Sequence, residues 1–111
     1  MSADAAAGAL APSGPPAVRA DPDEPGVLRL AGDVDHAAVV AAEPLVASLA
    51  GTVRVVDVGE VAFVDSAGVD LVLRLRAAAP DGRLVLRDVV PDGLVASLLA
   101  LLGLTGAFSY A

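Results

Sequence analysis

Residues 53–69 read VRVVDVGEVAFVDSAGV. Val53-Arg54-Val55-Val56-Asp57-Val58 is the best strand in the chain. It is rich in β-branched residues, with apolar side chains on both faces, which suits a central strand covered on both sides or nearly so. Val61-Ala62-Phe63-Val64 continues it into a turn. Asp65-Ser66-Ala67-Gly68 follows, and a helix is expected from about Ala67 to Ala79. Val69, Val72 and Leu73 give that helix an apolar side, and Arg74 and Arg76 a polar one. Pro80-Asp81-Gly82 stops it. Strand, short acidic turn and helix in this order are part of a βαβ unit.

The flanking sequence extends the same pattern. Downstream, Arg83 to Asp88 reads as a strand. A last helix starts at Pro91-Asp92, carries Leu94, Val95, Leu98, Leu99 and Leu102, and ends at Gly103. Ala107 to Tyr110 forms a short final strand. Upstream, Asp35 is a candidate N-cap for a helix over His36 to Ala50, stopped by Gly51. Pro44 either kinks that helix or sits in the first turn of a shorter one. Val27 to Ala31 reads as a strand, joined through the turn Asp21-Pro22-Asp23-Glu24-Pro25-Gly26 to a weaker one at Ala17 to Ala20. The order β-β-α-β-α-β-α-(β) implies parallel pairing with right-handed crossovers, and so an α/β domain. Residues 1–16 are rich in Ala, Gly and Pro and are expected to be a disordered tail; the domain proper is 17–111.

Composition removes several function classes. The chain has 111 residues and a net charge of −7; its seven basic residues are all Arg, and it lacks Lys, Cys, Trp and Ile. No Lys means no P-loop lysine and no Schiff-base chemistry. No Cys means no disulfide frame and no thiol or Cys-zinc centre. The acidic balance argues against a nucleic-acid or membrane-surface partner. No segment reads as a membrane span or export signal, so a cytoplasmic protein is expected.

The charge is concentrated. Residues 31–70 hold seven acids (Asp33, Asp35, Glu43, Asp57, Glu60, Asp65, Asp70) against Arg54, a net −6. These acids are expected near the strand-end loops, where α/β sheets dock ligands and partners. Asp33, Asp35, Asp57 and Asp65 offer oxygen ligands for a hard cation, but without EF-hand spacing. Asp35 and Asp65 have the simpler task of capping helices, so no metal and no cofactor are expected. Ser66 lies at a strand-to-helix turn, as a hydrolase nucleophile does. Val64 stands where such a turn needs Gly, however, and His36 is the only available base. What remains is a Ser beside a helix N-terminus, where added negative charge is tolerated.

The ordered set of Leu30-Ala31-Gly32-Asp33-Val34-Asp35, Val55-Val56-Asp57-Val58, Val61 to Val69, Gly82 to Leu86 and Leu99 to Leu104 resembles the STAS domain. Within it, the set is similar to the small bacterial anti-anti-sigma factors. The resemblance implies a mixed, mostly parallel four- to five-stranded sheet with helices largely on one side, and no enzymatic activity. It implies binding to an anti-sigma factor that is a serine kinase of the histidine-kinase-like ATPase fold. The kinase phosphorylates Ser66 and is thereby released, and a phosphatase resets the switch. Asp33, Asp35, Asp65, Ser66, Ala67, Gly68 and Asp70 are the implied partner-binding residues. Ala67 replaces a frequent second Ser, Asp70 stands where a small residue is common, and the first helix looks short. STAS domains also serve as non-switching scaffold subunits, for example with lipid-transport ATPases, which is the alternative function.

Overall fold

The computed structural model describes residues 16–111. The expected tail therefore lies outside the described residues, Pro16 excepted. Five strands and three helices follow: β1 Val18–Ala20, β2 Val27–Val34, α1 His36–Leu49, β3 Val55–Val64, α2 Ser66–Ala78, β4 Val85–Arg87, α3 Leu94–Leu101 and β5 Ser109–Tyr110. They form one sheet in the order β1-β2-β3-β4-β5; β1 is antiparallel to β2 and every other pair is parallel.

That order fixes the layers. Each βαβ crossover steps to the next strand in the same direction. Right-handed crossovers then place all three helices on one face. Leu28, Leu30 and Val34 of β2, Val56 and Val58 of β3, and Leu84 and Leu86 point into this layer. They meet Val39, Ala42 and Val46 of α1, Leu71, Val72 and Leu75 of α2, and Leu99 of α3. Pro44 lies inside a single 14-residue helix, so the first helix is not short. Pro44 and Val40 are both exposed, so the carbonyl that Pro44 leaves without a donor sits on the solvent side.

Among the described residues the opposite face of the sheet carries no helix, so β3, expected to be covered on both sides or nearly so, has its apolar layer on one face. Arg29, Asp57 and Arg87 are direct register partners across β2, β3 and β4. Arg87 Nε donates to Asp57 Oδ2 at 3.1 Å, and Arg29 lies 3.9 Å from the same oxygen. The β1–β2 turn folds over this row. Asp21 pairs with Arg29 at 2.6 Å and Glu24 with Arg87 at 3.1 Å. Asp57 is 6% exposed under these arginines. It is a strand residue within an ion-pair row, and not part of a strand-end acidic loop.

β3 runs through Val64 without breaking, and two register shifts let it gain two residues on β2. Arg29 pairs with Asp57 but Ala31 with Glu60; Gly32 pairs with Val61 but Asp33 with Phe63. Each shift is a bulge that reverses the inside-outside alternation. Val58, Val61 and Val64, three residues apart, therefore all face the helices, while Glu60, Ala62 and Phe63 are exposed.

Candidate functional site at the paired helix starts

The second bulge brings Val34 and Val64 into register at the ends of β2 and β3. The next residue in each strand is an Asp, and each Asp starts a helix. Asp35 and Asp65 are both extended and both act as N-caps. Asp35 Oδ1 accepts from the Ala38 N–H at 2.9 Å. Asp65 Oδ1 accepts from the Gly68 N–H at 3.1 Å. Its other oxygen accepts from the His36 N–H, the first residue of α1, at 3.0 Å. One carboxylate thus caps its own helix and ties down the start of the other. The Gly68 amide is the main reason the Asp65 carboxyl is held below the usual carboxylate range. The amides of His36 and Ala67 add to this, against partial desolvation.

Ser66 is the first residue of α2 and is exposed. Ala67 and Asp70 line a shallow groove with Val39, Leu73, Arg74 and Ala77 between α1 and α2. Arg74 spans that groove's helices, donating to both carboxylate oxygens of Glu43 at 3.0 and 3.2 Å. Asp33 is exposed near the end of β2, in register with Phe63, which is 48% exposed. Ser66, Ala67 and Asp70 therefore share one end of the helical layer with Asp35 and Asp65.

Gly68 does not join them on the surface, which corrects its expected place at a partner face. It is the third residue of α2, buried, with ordinary helical backbone. A Cβ there would collide with Val64 Cγ2 and lie 2.5 Å from the Val34 carbonyl oxygen. Gly is needed because α2 crosses the strand ends at backbone contact. It allows close internal approach rather than special turn geometry.

Sequence reading missed Phe63 and the Glu43–Arg74 pair. The Val58-x-x-Val61-x-x-Val64 spacing carried the signal for Phe63, since a period of three in a strand marks bulges. The ion pair joins residues 31 apart and needs the helix packing to be known. Among the described residues, no three His, Cys, Asp or Glu side chains are grouped to hold a metal ion. Asp57 is committed to arginines, and Asp35 and Asp65 to helix amides.

The family model for the Mlab STAS domain matches residues 17–109. Among solved structures, the chain is similar to the Bacillus cell-fate determinant SpoIIAA in its phosphorylated form. The identity is 27%, over 86% of this chain and 91% of that one, with a TM-score of 0.56. It is also similar to the anti-sigma factor antagonist SpoIIAA in its unphosphorylated form, at 24% identity over 78% and 98% of the chains and a TM-score of 0.50. A protein of the DUF3478 family with a SpoIIAA-like fold, from Shewanella loihica, is 17% identical over 85% and 81%, with a TM-score of 0.50. The last two likenesses concern the fold alone. No curated protein matches the chain.

Proposed function

Since the chain belongs to the STAS domain family, we propose that it is an anti-sigma factor antagonist that works by binding and not by catalysis. In this reading its unphosphorylated form holds an anti-sigma factor serine kinase in the cytoplasm and so frees a sigma factor. The kinase phosphorylates Ser66 and lets go; a phosphatase restores the free hydroxyl. The observation that carries the reading is the position of Ser66. It is an exposed hydroxyl on the first residue of α2, directly after a carboxylate that fastens two helix starts. A kinase can reach that hydroxyl without unfolding either helix. The similarity to SpoIIAA in its phosphorylated form, at 27% identity, supports the same assignment. Asp33, Asp35, Asp65, Ala67 and Asp70 form the partner surface around it, with Gly68 beneath. Among the described residues, no helix is long and apolar enough to cross a membrane.

The test is phosphorylation by a histidine-kinase-like anti-sigma factor from the same genome, followed by mass spectrometry. One phosphate on the Ser66 peptide, absent from Ser66→Ala, is expected. Ser66→Ala should stay bound to the kinase in the presence of ATP. Modification elsewhere, or none with any such kinase, refutes the switch. A second reading, as a non-switching scaffold subunit, is favoured by the Mlab description of the matching family model. Stable co-purification with an ATPase subunit of a transporter, indifferent to Ser66→Ala, would establish that reading instead.

A further inference from the structure

An apolar cavity of about 40 Å³ lies behind the turn that carries Ser66. Val34, Val61 and Val64 form its sheet side, Gly68 and Val72 its α2 side, and Leu98 part of its α3 side. No residue lining it has a polar side chain. The cavity follows from features already described. The bulges turn Val58, Val61 and Val64 all inward, and Gly68, in close contact with Val34 and Val64, closes the wall beneath the first turn of α2.

Size and lining define what such a cavity accepts. A water molecule needs roughly 10–15 Å³ of this kind of volume and two to four polar partners, so space exists for about three waters with nothing to hold them. Nucleotide- or substrate-sized ligands occupy pockets of roughly 300–1,000 Å³, far larger than this one. An ion or a hydrogen-bonding ligand would lose its hydration without replacement. We propose that the cavity is a binding site for one small uncharged apolar guest, of the class of a short hydrocarbon, and that its occupancy is transmitted to the Ser66 turn. Transmission follows from contiguity. Gly68 is part of the cavity wall, its N–H bonds Asp65 Oδ1, and Asp65 Oδ2 holds the His36 N–H. A guest that displaces the first turn of α2 shifts both amides. Guest binding itself does not depend on Ser66 being phosphorylated; only its regulatory meaning rests on the proposed function.

The experiment is methyl and amide NMR of the full chain under increasing xenon pressure, repeated with dissolved cyclopropane. Saturable shifts are expected for the Val34, Val64 and Leu98 methyls, with the Gly68 and His36 amides moving in parallel. Leu98→Phe, at the half-buried rim, and Val72→Phe, in the wall, each place a ring in the cavity and should abolish the shifts. Ser66→Ala leaves the cavity intact and should bind the guest unchanged, so a chain that no kinase modifies still tests the proposal. Absence of saturable methyl shifts in the wild type overturns the site. Methyl shifts that persist undiminished in a folded filling variant also overturn it. Methyl shifts with stationary Gly68 and His36 amides overturn the transmission.

Discussion

Replacing Gly68 should unfold the site before it affects any partner. A Cβ at this position would lie 2.5 Å from the Val34 carbonyl oxygen and in collision with Val64 Cγ2, with Val34 Cγ1 at 3.2 Å. The carbonyl belongs to the strand end that also accepts the Asp65 N–H, so it cannot move away freely. Overpacking of this kind costs about 1–3 kcal/mol. A wall that includes backbone puts this site at the upper end of that range, and alanine recovers up to ~1 kcal/mol of helix propensity over glycine, so Gly68→Ala should lose a net ~2 kcal/mol. Gly68→Val adds two methyls against the same wall and loses propensity to β-branching, so a loss above ~3 kcal/mol is expected. Each kcal/mol corresponds to roughly 4–8 °C in the melting temperature for a domain this small. The assay is urea and thermal denaturation of both variants beside Gly51→Ala, where a Cβ meets nothing within 4 Å. Gly51→Ala should leave stability close to the parent. A Gly68→Ala protein as stable as the parent, or more stable, refutes the close-approach argument.

Asp65 and Asp35 should respond differently to amidation. Asp65→Asn retains one acceptor oxygen for two N–H groups, so it should lose about one cap, ~1 kcal/mol by urea denaturation, and Asp65→Ala more. Asp35→Asn keeps the oxygen its single bond uses and should be nearly neutral by the same measurement. Stability should fall on acidification from about pH 4 towards pH 2. Asp21 is lowered to about 2, chiefly by its bond to Arg29, and Asp65 is lowered by the Gly68 amide. Carboxylates depressed in the folded state stabilise it above their unfolded pKa and lose that contribution as pH drops through the folded one. A thermal midpoint that is flat across this interval, or Asp21→Asn melting with an unchanged acid limb, counts against the assignment. Asp57→Ala removes the acceptor of Arg87 Nε and the second carboxylate near Arg29, and should cost about 1–3 kcal/mol in chemical denaturation.

Local signals in the sequence locate most of the elements. Turn residues, β-branched runs and 3.6-residue spacing place β2, α1, α2 and α3 within a few residues of where they occur. Asp35 and Asp65 announce both helix starts. The shortfall lies where the outcome depends on register. The length of β3 and the exposure of Phe63 follow from bulges opposite β2; the three-residue valine spacing hints at them, but their positions are fixed only once Arg29 and Asp57 are known to pair. Likewise Asp57 reads as one more acid in a negative segment until β2 and β4 bring an arginine to each side. Gly68 is legible as a glycine that matters, but its reason is a carbonyl 34 residues earlier in the chain, which no local window contains.

The register also changes the electrostatic setting of Ser66. A free helix N-terminus would favour an added negative charge by about 0.3–1 kcal/mol. Here donors at both helix starts are already taken, the Ala38 amide of α1 by Asp35, and the Gly68 amide of α2 and the His36 amide of α1 by Asp65. A phosphate on Ser66 would bring roughly −1.5 to −2 charge beside those two carboxylates. It would enter a segment that is already −6, and Arg74 across the groove is occupied by Glu43. The fold therefore has little to offer the phosphate and, with both caps retained, little to lose. The charge must act on whatever lies against this surface. A partner shaped to a neutral hydroxyl meets an added negative charge beside Asp35 and Asp65, and ~1.4 kcal/mol of mismatch is enough for a tenfold loss of binding. An acidic pair of helix starts, each capped by a carboxylate, suits a switch that works at the interface, because the carboxylates that hold the helix starts are the same ones that repel the phosphate.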